Sequence, residues 1–77
     1  MNKTPDLFDS IIASMTLIES CGNAIDGIVL NTLDAIKIES DHNLQRVNGV
    51  LRINGVYVSE TDILETGKSI LSYKKNE

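Results

Sequence analysis

Seventy-seven residues with a net charge of −4, one cysteine and one histidine make one small domain and exclude several means of stabilising it. A lone cysteine forbids an intramolecular disulfide, and a lone Cys and His cannot complete the usual zinc site. A core of this size leaves only about 3–5 kcal/mol of stability, so association with a second copy is the remaining device, and a homodimer is expected.

Charge is uneven along the chain. In residues 1–45, Lys3 and Lys37 stand against Asp6, Asp9, Glu19, Asp26, Asp34, Glu39 and Asp41, a net −5. In residues 46–77, Arg46, Arg52, Lys68, Lys74 and Lys75 stand against Glu60, Asp62, Glu65 and Glu77, a net +1. An acidic half of this kind repels phosphate and disfavours nucleic acid. The first residues lack the basic segment and apolar run of a secretory signal. No stretch reaches the roughly 18–20 apolar residues of a membrane span. A cytoplasmic protein without a membrane segment is expected.

Thr4 or Asp6 can cap a first helix, with Pro5 tolerated in its opening turn. Apolar residues then recur every seven positions: Ile11, Ile18 and Ile25 in one row, and Phe8, Met15, Val29 and Ile36 in a second that also includes Gly22. Steps of four and three put both rows on one helical face. Because the register crosses Gly22 unbroken, the spacing predicts one long helix to about Asp41. The alternative is a helical hairpin, with Gly22 ending the first helix and Asn23 capping the second. Either way the helical region spans residues 1–42, and Ile11, Met15, Ile18, Ile25, Val29 and Ile36 are the expected interface.

Asp41-His42-Asn43 breaks this pattern. Asn54-Gly55 between apolar runs is a strong hairpin signal, because both turn residues need positive φ. Around it Ile53 should pair with Val56 and Leu51 with Val58 on one face, with Arg52, Tyr57 and Ser59 on the other. Asn48-Gly49 reads either as a second tight turn, completing a three-stranded meander, or as a helix cap. Residues 44–59 are therefore a β-hairpin or meander. Ser59 and Asp62 stand at N-cap and N3 positions, and Ile63, Leu64, Ile70 and Leu71 offer an apolar face, which predicts a C-terminal helix over 60–75. The expected fold class is α+β.

Little in the chain carries catalytic chemistry. Gly67-Lys68-Ser69 is the tail of a phosphate-binding loop, but Asp62 occupies the place of its first glycine. Nothing in the sequence brings Cys21 and His42 together as nucleophile and base, and the thiol is read as packing, His42 as a solvated turn residue. The carboxylates lack the spacing of a calcium loop. No catalytic, cofactor or metal residue is assigned. Arg46, Arg52 and Tyr57 form the one basic-aromatic group and a candidate partner patch. The expected function is non-enzymatic: a homodimeric protein-interaction module that acts as an inhibitor, adaptor or assembly factor on a larger protein, of a kind frequent in phages and mobile elements. The alternative is a dimeric DNA-binding regulator using the hairpin and C-terminal lysines.

Overall fold

The computed structural model describes residues 6–75. Thr4 and Pro5, read above as helix-opening residues, lie outside them. The first helix, α1 (Leu7–Ser20), begins where Asp6 accepts a hydrogen bond from the Asp9 amide at 2.9 Å. It buries Ile11 and Met15. It ends at Cys21, and Gly22 follows at φ +87°, a left-handed conformation that only glycine adopts cheaply.

The chain then enters a strand, β1 (Asn23–Asn31), where a helix was expected. The long helix and the helical hairpin over 1–42 are thus both corrected. Ile25, Ile28 and Val29 are β-branched and suit a pleated surface better than a helix. A second helix, α2 (Thr32–Asp41), starts at Asn31, whose side chain accepts from the Leu33 amide at 2.9 Å, and ends at His42. It buries Ala35 and Ile38.

Residues 42–51 form an irregular segment pinned by one bridge, Val47 to Val50, around Asn48-Gly49. A tight turn is present there, but no third meander strand. Strands β2 (Arg52–Ile53) and β3 (Val56–Thr61) form the expected hairpin around Asn54-Gly55, both at positive φ. Arg52 pairs with Tyr57 and Ile53 with Val56, and the Val58 amide reaches the Leu51 carbonyl at 2.9 Å.

The expected C-terminal helix over 60–75 is corrected too. Ser59 and Thr61 belong to β3, a loop follows, and residues Ser69–Lys75 are a fourth strand, β4. Backbone pairing along β1 leaves these residues no reason to satisfy their amides within a helix.

The result is α+β, a mixed four-stranded sheet of order β2-β3-β1-β4. Central β1 runs parallel to β3 and antiparallel to β4. Asp26 has no partner on β4, since Ile25 faces Tyr73 and Gly27 faces Ser72; this is a β-bulge. Helix α1 lies over β1 and β4, and α2 over β1 and β3. The single core joins Ile11 and Met15 of α1, Ala35 and Ile38 of α2, and Ile28, Leu30, Leu51, Ile53 and Val58 beneath them. Both helices therefore cover the same face of the sheet.

Candidate interaction surface

Alternation along each strand assigns the opposite face. Inward positions are Ile28, Leu30, Val58, Ile53 and Leu71. Outward positions are Gly27 and Val29 on β1, Arg52 on β2, Tyr57 and Ser59 on β3, and Ile70, Ser72 and Lys74 on β4, as the pairings require. Tyr57 and Ile70 keep 54% and 52% of their surface in solvent. The outward positions just named include two basic residues and no carboxylate, while Asp9, Asp34, Glu39 and Asp41 lie on or beside the helices. Small residues (Gly27, Ser59 and Ser72) separate the larger ones and keep this face low.

Tyr57 is held by its cross-strand neighbour. The Arg52 guanidinium sits 4.6 Å from the ring centroid, and its Nη2 donates to Tyr57 Oη at 3.1 Å. Arg52 Nε is shielded from solvent and finds no acceptor among the described residues. A fixed aromatic ring beside a guanidinium is the composition that interface hot spots favour.

Arg46 is occupied elsewhere. Its Nε donates to Glu39 at 2.8 Å, and its Nη1 and Nη2 form a fork on Glu60 at 2.8 and 3.0 Å. Hydrogen bonding from Arg46 holds the Glu60 carboxyl below its ordinary range and raises the guanidinium pKa in turn. This group ties α2, the 42–51 segment and β3 together, and it does not join Arg52 and Tyr57 in one patch.

The six residues of the expected interface are dispersed. Ile11 and Met15 lie in the chain's own core, Ile25 packs against it, and Ile18 is half-buried at the end of α1. Ile36 is exposed on α2, and Val29 is half-buried on the outward sheet face. No single face holds them all.

A small open cavity of about 80 Å³ lies where the start of α1 meets the end of α2, lined in part by Asp6, Phe8, Asp34, Lys37, Asp41 and His42. Phe8 and His42 stack with centroids 3.9 Å apart, and His42 Nε2 is 3.6 Å from Asp6 Oδ2. The Asp9 amide holds the Asp6 carboxyl below its ordinary range, helped by His42. His42 thus packs between the helices instead of standing free in a turn. Cys21, read from the sequence as packing, is exposed at the end of α1. No group of three or more metal-ligating side chains gathers among the described residues, and none of their helices is long and apolar enough to cross a membrane.

Sequence reasoning missed β4. Its run Ser69-Ile70-Leu71-Ser72-Tyr73 contains β-branched and aromatic residues after Gly67, a strand signal obscured by the apparent cap at Ser59. No protein-family model, no curated protein and no solved structure matches this chain.

Proposed function

We propose that this chain is a non-enzymatic protein–protein interaction module, a homodimer that occupies a surface on a larger protein as an inhibitor, adaptor or assembly factor. The observation that carries the reading is the outward sheet face: Tyr57 half in solvent beside Arg52, and Ile70 half in solvent across the sheet on β4, on four strands whose other face is already covered. An aromatic ring held by a guanidinium gives a partner a rigid anchor at little cost in entropy. The acidic helical layer faces away from the bound partner and keeps the complex soluble.

The test is photo-cross-linking in a host extract, with the reactive group placed at Tyr57 or, as a control, at Thr16 on the exposed side of α1. Adducts formed from position 57, absent from position 16 and removed by Ile70→Lys are expected. Adducts that form equally from both positions would count against the sheet face. Binding of plain DNA duplex at low salt, weakened by added salt and by Arg52→Glu, would replace this reading with the DNA-binding one.

A further inference from the structure

The two edges of the sheet differ. Strand β2 has two residues and is followed at once by the Asn54-Gly55 turn, which leaves little edge to pair with. Strand β4 has seven residues and, among the described residues, pairs only with β1, so within them its other side presents a row of unpaired backbone donors and acceptors about 24 Å long. Such an edge is a template for another strand.

We infer that the homodimer forms by antiparallel pairing of β4 with β4 of a second copy, about a two-fold axis through Ser72, into one eight-stranded sheet. This rests on the homodimer reading above and names its interface. Strand length and charge together favour one register, since Ser72 is the midpoint of β4. With Ser72 opposite Ser72 of the second copy, all seven residues pair: Leu71 meets Tyr73, Ile70 meets Lys74 and Ser69 meets Lys75. A leucine against a tyrosine is a favourable cross-strand pair, and no like charges face each other. Moving the axis to Leu71 would set Lys68 against Lys74. Parallel in-register pairing would oppose each lysine to itself. The two terminal lysines thus act against both of these pairings, a recognised use of edge lysines.

The helical layer agrees. An axis perpendicular to the sheet puts both copies' helices on the same side, so the flank of α1 that overhangs β4 meets its counterpart. Phe8 marks the opposite flank, because it stacks on His42 at the end of α2. At helical spacing, the β4 flank carries Ser10, Ser14, Leu17 and Cys21, none charged and three of them exposed. Leu17 is 66% exposed, and Tyr73, on the inward side of β4, is 53% exposed. In the dimer Leu17 covers this seam while the serines let the helix backbones approach. The outward faces of the two sheets become continuous, which doubles the surface around Tyr57.

The experiment uses the full chain carrying Cys21→Ser, with a single thiol introduced by Ser72→Cys or by Ser59→Cys. Sedimentation equilibrium gives the mass, and mild oxidation followed by a non-reducing gel gives the contact. Across an antiparallel pair the Cα atoms are about 4.5–5.5 Å apart, within disulfide range. A dimer that links through position 72 and not through position 59 is expected. A dimer that links through 59 and not 72 would overturn edge pairing in favour of face-to-face packing, and leave the homodimer standing. A folded wild-type monomer at every concentration would overturn both. Tyr73→Lys tests the same point without a thiol. It should raise the dimer dissociation constant about tenfold or more with circular dichroism unchanged, and a dimer indifferent to it would also refute the edge.

Discussion

On the side of the sheet that meets the helices, Ile28, Leu30, Val58 and Ile53 have lost nearly all contact with water. One residue further along β1 and β3, Val29 and Ser59 face outward, as Ile70 does on β4, among serines, a glycine and the Arg52–Tyr57 pair. The backbone satisfies both faces equally through its ladders, so the difference lies in the side chains. Beneath the helices the inner face is apolar, at Ile28, Leu30, Ile53, Val58 and Leu71, and this part determines whether the chain folds. The outer face mixes aliphatic, aromatic, basic and very small residues, and its removal from water requires a second molecule.

The sharpest way to break that contrast is to truncate one residue on each side. Leu30→Ala empties a fully buried site and should cost about 2–5 kcal/mol. That approaches the whole stability expected of so small a core, so urea melts should show a largely unfolded population in dilute buffer. Val29→Ala, its neighbour on the outer face, should cost about 1 kcal/mol. Equal losses would mean that the outer face is as fully buried as the inner one.

Asn31 comes next, because it joins the sheet to the loop that closes it. Its Oδ1 caps α2 through the Leu33 amide at 2.9 Å, and its Nδ2 donates to the Leu64 carbonyl at 2.8 Å from a buried position. Asn31→Ala loses both bonds and should cost about 1–3 kcal/mol in a urea melt. Asn31→Asp keeps the cap but sets a carboxylate against the Leu64 carbonyl, so it should rescue only part of that loss.

The contrast between the faces also explains what was legible in the residues. The Asn54-Gly55 hairpin, the cap at Asp6 and the break at Asp41-His42-Asn43 are local, and local chemistry specifies them. Strand β1 imitates a helix because its bulge at Asp26 breaks the alternation: the inward residues Ile25 and Ile28 stand three apart, a helical step. The row Ile11, Ile18, Ile25 continued the illusion across Gly22. Strand β4 is obscured because Ile70 is apolar yet faces outward, so Ile70-Leu71 imitates a broad helical face. Both strands take their shape from partners far along the chain, and no window of ten residues contains that information. For the same reason composition alone groups Arg46 with Arg52 and Tyr57, although Glu39 and Glu60 claim it. Arg52 and Tyr57 themselves were legible, since the turn fixes their pairing.

The Arg46 group lies outside that outer patch and should show in the pH dependence. Arg46 holds the Glu60 carboxyl below its ordinary value of 4.5. The folded state therefore takes up this proton less readily than the unfolded chain. Its contribution is present in full above that value and disappears as pH falls through the lowered one. Asp6, lowered by the Asp9 amide, adds a contribution of the same sign. Arg46→Met should reduce the urea midpoint at neutral pH and flatten the decline in stability between about pH 5 and about pH 3. The Asp6 share should survive. An unchanged slope would mean that the Arg46–Glu60 fork adds no more than an exposed ion pair.

The smallest expected effect on stability falls at Tyr57, and that smallness makes the residue useful. Its ring receives Arg52 at 4.6 Å and its hydroxyl accepts from Nη2 at 3.1 Å, a cross-strand contact of about 0.5–1 kcal/mol. Tyr57→Ser should lower stability by no more than that, and Tyr57→Phe, which keeps the ring, by less. If the ring only braces the hairpin, partner capture should follow the stability of the two variants. If the ring is the anchor, Tyr57→Ser should abolish capture from a protein that melts almost as the wild type does, while Tyr57→Phe retains most of it. A side chain that contributes little to folding and much to binding would mark the outward face as the working surface of this chain.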